Sequence, residues 1–380
     1  MATVATGRGG TTMSRPRALV RDMSAAAAST TPAPTLEIDP RPAYDFLVSL
    51  MCDEVVDGQA PEILPADAAW LRESRASLSA GVRRDLRRTF AHDEEGVGIG
   101  AAIVPLVVTD SSVRTSADVV ALVGRLSATD LIPRLCVPYL CRGEHLERAR
   151  ELADAALAGD ASARELLLSS IAEWARPELR GILDDPEEAI RAARRVLRAW
   201  HERFATVEAR VARMEDRDAA DRRREMRTLA LGEFVEKTTG GVRVVPEPGL
   251  RRLILAPGYF GRPFNEIYGD RDWRLIVYPL GDAALDGDVG SLPTATVRLF
   301  KALGDESRLR ILRYLADGDL YLTEIADRMN LSKPTVKHHM VQLRTAGLVT
   351  VAEVGGLTYY TLRRERLGDA SADLQRLLGA

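Results

Sequence analysis

Cysteine is scarce, with three in 380 residues (Cys52, Cys136 and Cys141), too few for a disulfide framework. Cys136 and Cys141 flank a Pro-Tyr pair without C-x-x-C spacing or a nearby histidine, so buried thiols are expected rather than a metal or redox pair. No apolar run approaches the roughly 20 residues needed to cross a bilayer; the longest, Val97 to Val108, contains Pro105. No membrane partner is expected, and with no secretory segment after Met1 the expected compartment is the cytoplasm. The net charge of -3 gives the whole chain no pull toward nucleic acid. Nucleophile elbow, H-E-x-x-H and Walker loop are all missing, so neither an enzyme nor a cofactor is expected. Gly96, Gly98 and Gly100 have nucleotide-loop spacing, but they follow His92 to Glu95 rather than a strand.

What is present is an ordinary globular mixture, 46% apolar and 28% charged, in a chain longer than one core usually organises. Two or three domains are expected. Residues 1–35 combine Gly, Ser, Thr, Ala and Pro without apolar period, which describes a disordered tail. Residues 36–282 read as a mostly helical sensing or dimerising domain, with apolar residues three and four apart. Within it, Val207 to Val235 alternates Arg with acids and predicts a long exposed helix laced with i,i+4 ion pairs. The period then changes to two. Val242 to Val245, Arg252 to Ala256 and Trp273 to Tyr278, separated by turn residues, predict a small antiparallel sheet near 242–278. Trp174, Trp200, Trp273 and Tyr259 are read as core rather than pocket lining. Gly281 to Pro293 has the composition of a linker, and the next domain spans 293–380. The expected fold class is therefore α+β, mainly helical.

The C-terminal region is basic by three charges, the remainder acidic by six, and three of the four lysines lie in it. Helical stripes at Thr294 to Leu303 and Leu309 to Leu315 precede a short extended segment and a third helix, Glu324 to Met329, capped by Thr323. Ser332 caps a fourth helix with Pro334 in its first turn. Val336, Met340 and Leu343 fall on one face of that helix, with His339 packed at the margin. Thr335, Lys337, His338, Val341 and Gln342 fall on the other, and no acid occurs between Ser332 and Ala352. Donors without acids on the first turns suit a helix entering the major groove. Two extended runs joined at Gly355 and Gly356 and followed by Arg363, Arg364 and Arg366 complete a winged helix-turn-helix. The candidate DNA contacts are Ser332, Lys333, Thr335, Lys337, His338, Gln342, Arg363 and Arg364.

The segments ALGDESRLRIL and SKPTVKHHMVQLRTAGLV, with the glycine-turned wing ending in Tyr359, Tyr360 and Leu362, resemble the ArsR-type winged-helix repressors. The long helical front half also resembles that of poorly characterised actinobacterial regulators. The first resemblance implies a homodimer, paired through Thr294 to Leu303 and a helix near Asp369 to Leu378, on a pseudo-palindromic operator in double-stranded DNA. It also implies, for many members, metal control through cysteine or histidine ligands. Here Tyr321, Leu322 and Glu324 stand in the first such region and only Asp369 and Asp373 in the second, so no metal site is expected and the signal is a non-metal, possible small-molecule effector. The competing reading is an enzymatic or ligand-binding front domain, with the winged helix as a regulatory or protein-interaction module.

Overall fold

Of the 380 residues, the computed structural model describes 32–51, 62–90, 100–135, 146–170, 176–244, 249–270, 272–286, 294–354 and 357–378. The three cysteines, Trp174, Gly96, Gly98, the wing turn at Gly355 and Gly356, and most of the tail and linker lie outside the described residues. No helix among the described residues is long and apolar enough to cross a membrane.

The front half opens with β1 (Thr35–Ile38) and α1 (Pro42–Met51). Nine of the ten residues of α1 are buried, Asp45 among them; a helix covered on all sides belongs inside a core. Then follow α2 (Pro65–Ala76), α3 (Ala80–Phe90), α4 (Gly100–Thr109), α5 (Ser116–Arg125), α6 (Ala128–Leu131), α7 (Leu146–Leu157), α8 (Ala161–Ser170) and α9 (Arg176–Asp184). The long apolar run of the sequence becomes α4, whose Ala102 to Val108 are buried. Its length suits a core helix rather than a membrane span.

The organising element is α10, 40 residues from Pro186 to Glu225. Asp185 accepts the Glu188 N–H at 2.9 Å, and Pro186 occupies the first turn, so its start is fixed by the cap and by the missing donor. The sequence predicts an exposed helix through its second half. Instead Val207, Val211, Met214, Glu215, Asp218 and Ala219 are buried. Their spacing of three and four forms one inward stripe, and the arginine-acid pairs occupy only the outer face. The helix packs against α1, α3, α5 and the sheet, and polar anchors are spaced along it. Trp200 donates to Ser49 at 2.9 Å, Glu208 accepts from Ser116, Arg210 binds Asp67, which also takes the Tyr259 hydroxyl, and Asp218 accepts from Tyr278 at 2.7 Å and from the Gly281 N–H.

Asp45 and Glu215 form the deepest of these contacts, both fully buried. Asp45 accepts the backbone N–H groups of Tyr259 and Phe260 at 2.6 and 3.0 Å. The Glu215 carboxyl lies against Asp45, and neither of its oxygens meets a conventional donor. Burial and the neighbouring Asp45 push Glu215 well above the usual carboxylate range, so it carries a proton and can donate it to Asp45. Burial raises Asp45 itself to about 6, against the lowering by its two backbone donors.

After α11 (Leu231–Thr238) come β2 (Arg252–Gly258), β3 (Glu266–Gly269) and β4 (Trp273–Pro279). The sheet order is β1-β2-β4-β3. This corrects the small antiparallel sheet expected from the sequence in two ways. β1 with β2 and β2 with β4 are parallel, leaving only β3 with β4 antiparallel, and the outer strand begins at Thr35, inside the segment read as tail. The chain leaves β2, passes the end of β4, descends as β3 and returns, so a parallel neighbour is reached without a helical crossover. β2 is buried on both faces from Leu253 onward, as an interior parallel strand is.

The C-terminal body has its own core, including Leu299, Ile311, Leu315, Ile325, Val336, Met340, Leu343 and Leu348. Its elements are α12 (Thr294–Leu303), α13 (Glu306–Ala316), β5 (Leu320–Tyr321), α14 (Leu322–Met329), α15 (Lys333–Thr345), β6 (Val349–Val354), β7 (Leu357–Leu362) and α16 (Arg364–Leu378). The three-stranded sheet runs β5-β7-β6, both pairings antiparallel. α14 starts one residue before the expected cap at Thr323, because Glu324 accepts the Tyr321 N–H. Asn330, at φ 52°, ends it in the left-handed conformation that asparagine tolerates.

Candidate nucleic-acid interface

The α14-turn-α15 unit presents α15 by its N-terminal end. Ser332 Oγ accepts the Thr335 N–H at 3.3 Å and shares a 2.7 Å hydrogen bond with the Thr335 hydroxyl. This fixes the first turn, where Ser332, Lys333, Pro334 and Thr335 are all exposed. One turn on, His338 is exposed, and Lys337 and Gln342 are half-buried. Six of the eight sequence-predicted contacts thus belong to α15 and its cap, and four of them, Ser332, Lys333, Thr335 and His338, are exposed. Val341 departs from that reading, being buried with Val336, Met340 and Leu343. The buried arc of α15 is therefore wider than a single stripe.

His339 is half-buried, with Nδ1 3.8 Å from the Asp305 carboxylate and no hydrogen bond. Burial lowers its pKa, opposed by Asp305, so it is neutral near pH 7. Asp305 is itself occupied as the cap of α13, accepting the Arg308 N–H at 2.9 Å.

The wing strands pair from Val349 with Leu362 to Val354 with Leu357. Its two arginines are held by the protein. Arg363 donates to the Gly347 carbonyl at 3.1 Å and lies 3.2 Å from the Glu236 carboxylate. Arg364, in the first turn of α16 and exposed, donates to the Ala316 carbonyl at 2.7 Å. Arg363 therefore does not share the outward position of the α15 residues.

Sequence reasoning missed the residues that join the front half to this body. Val242 forms a parallel bridge to Val351 of the wing, not to the front sheet. Glu62 binds Arg298, which also donates to the Thr345 carbonyl at 2.7 Å. Asp282 binds Arg262 and accepts the Thr294 N–H at 3.2 Å. The one signal in the sequence was Gly240-Gly241 directly before a branched run, a place where two backbones approach closely. Among the described residues no group of three His, Cys, Asp or Glu is arranged to hold a metal ion.

The family described as "Bacterial regulatory protein, arsR family" matches residues 305–351. Transcriptional repressor SdpR of Bacillus subtilis (strain 168) is 36% identical over 72 residues, covering 19% of this chain and 80% of that protein. The arsenical resistance operon repressor of Staphylococcus aureus is 36% identical over 76 residues, covering 20% and 73%. Among solved structures, HlyU from Vibrio cholerae N16961 aligns at 33% identity and TM-score 0.19, covering 23% of this chain and 94% of that one. With the match at residues 305–351 and relatives covered over most of their own length, the winged helix-turn-helix of residues 294–378 places this chain in the arsR family of bacterial regulatory proteins.

Proposed function

We propose that this chain is a cytoplasmic, sequence-specific DNA-binding transcriptional regulator. It binds a pseudo-palindromic operator as a homodimer and answers a non-metal signal received by residues 36–282. The observation that carries the reading is the exposed, acid-free first turn of α15, with Ser332, Lys333 and Thr335 outward and His338 one turn on. One such helix reads only a few base pairs. Two half-sites a helical turn apart multiply the discrimination, and Phe300, Leu374 and Leu378 leave an apolar surface on α12 and α16 for the pairing.

An enzymatic front half finds little support in its most suggestive grouping. Ser116 Oγ meets both His201 Nδ1, at 2.7 Å, and Glu208, at 2.9 Å. Both partners act on the hydroxyl of a buried serine, so the cluster fastens α5 to α10.

The test is a titration of the chain with duplex DNA from upstream of its own reading frame across a salt series. A log-log slope of several charges is expected, with Lys333→Ala and Lys337→Ala each lowering it by about one charge per protomer. A salt-independent or sequence-independent response refutes the reading.

A further inference from the structure

At the junction between the two halves, the chain leaving α11 runs through Gly240 and Gly241 and lies along the outer edge of β6. The Val351 N–H donates to the Gly241 carbonyl at 3.0 Å, and the Arg243 N–H donates to the Val351 carbonyl at 3.1 Å. The wing thereby gains one parallel backbone bridge, Val242 to Val351, supplied by the front half. Gly241 sits at φ 126°, and a Cβ there would lie 2.8 Å from the Val349 carbonyl oxygen. Only glycine lets the two backbones come this close.

The side chains reinforce the docking. Glu236, near the end of α11, receives Arg243 at 3.0 Å on one carboxylate oxygen and faces Arg363 at 3.2 Å with the other. All three side chains are about a fifth to a quarter exposed (26%, 23% and 18% for Arg243, Glu236 and Arg363). Arg363 Nε is buried without a hydrogen bond, so its attraction to Glu236 is that of an imperfectly aligned ion pair. Such a contact is held by the backbone bridge beside it more than by its own geometry.

We propose that the segment Glu236 to Arg243 is an autoinhibitory strap on the wing: it pins β6 by a parallel backbone bridge and neutralises Arg363, and its release returns that guanidinium to DNA phosphate. This rests on the DNA-binding reading and gives the front half a physical route to the wing. Backbone pairing at an exposed sheet edge is a known mode of docking, and here it is reversible because two backbone hydrogen bonds and the part-exposed Glu236 ion pairs carry it. A signal that shifts α11 relative to the C-terminal body breaks both together, and its leverage equals the difference in its affinity for the strapped and released forms.

Two full-length variants loosen the strap without changing net charge: Gly241→Ala, which removes the close approach, and Glu236→Gln combined with Arg243→Gln, which removes the ion pairs. Hydrogen exchange at the Val351 amide reads the strap, and affinity for a mixed-sequence duplex reads the phosphate contacts. Protection at Val351 is expected in the parent chain and is lost in both variants. Both then bind the duplex roughly five- to tenfold tighter per protomer at 0.1 M salt, with a salt slope steeper by about one charge. A Val351 amide unprotected in the parent chain overturns the proposal, as does lost protection in either folded variant with affinity unchanged or weakened. If neither parent nor variants bind any duplex while Val351 protection still responds to the substitutions, it is the DNA-binding reading that has failed, and the proposal with it.

Discussion

Replacing Glu215 with Gln tests the account of the front core most directly. In the folded chain Glu215 holds a proton because burial and Asp45 lift it well above its ordinary 4.5; in the unfolded chain it releases that proton near the ordinary value. Folding therefore takes up one proton wherever the pH lies between the two values. Stability contributed by this group is full at low pH and falls as pH rises through the window, by about 1.4 kcal/mol per pH unit for one proton. The fall continues until the pH passes the raised folded value of Glu215. Below about 6, Asp45 adds a second proton of the same sign, since its own value is raised to about 6. Glutamine keeps a donor toward Asp45 and cannot titrate, so Glu215→Gln is expected to remove the slope above pH 6 and to be the more stable protein at pH 8. The assay is the unfolding free energy of both chains from urea titrations at half-unit pH intervals. Equal slopes above pH 6, or a variant that is several kcal/mol less stable at pH 8, refute a protonated Glu215.

Three further outcomes follow from the same contacts. Arg210→Met strands the nearly buried Asp67 with only the Tyr259 hydroxyl and costs about 2 to 3 kcal/mol, below the full buried-pair range because 27% of the Arg210 side chain faces water; an unchanged denaturation midpoint contradicts it. Ser332→Ala removes the cap of α15 and lowers stability by about 1 kcal/mol, read as a drop in the C-terminal unfolding midpoint without change in the front half. Phe300→Glu with Leu374→Glu places charge on the exposed apolar surface of α12 and α16; sedimentation is expected to show a monomer whose DNA salt slope is about half the parent's, and a retained dimer mass rules out that interface.

Much of the C-terminal body was legible in the sequence because its helices are short and α15 is bounded by residues with one chemical meaning, the cap Ser332 and the first-turn Pro334. Val341 was not, since a projection at 100° per residue assumes one packing direction, and the buried arc of α15 is wider than that. In the front half, the direction of the sheet was hidden. Leu253 to Ala256 and Leu275 to Tyr278 are continuous apolar runs, which mark interior parallel strands, but turn residues on either side drew attention to hairpins. The second half of α10 was hidden for another reason. Its charge density is real, yet Val207, Val211, Met214 and Asp218 form a narrow stripe that composition alone does not reveal. The strap could not be read at all, because backbone pairing between distant segments leaves no side-chain pattern beyond two glycines.

The 40 residues of α10 make a rod about 60 Å long at 1.5 Å per residue. Most of the front half is bolted to it in series, from Ser49 and Ser116 to Asp67, Asp45 and the sheet. Near its far end Glu225 takes Arg222 and Lys237, and Lys237 adjoins Glu236. A stiff beam of that span turns small angles into large travel: a pivot of roughly 5° about its midpoint swings each tip by about 2.6 Å, comparable to a hydrogen-bond length.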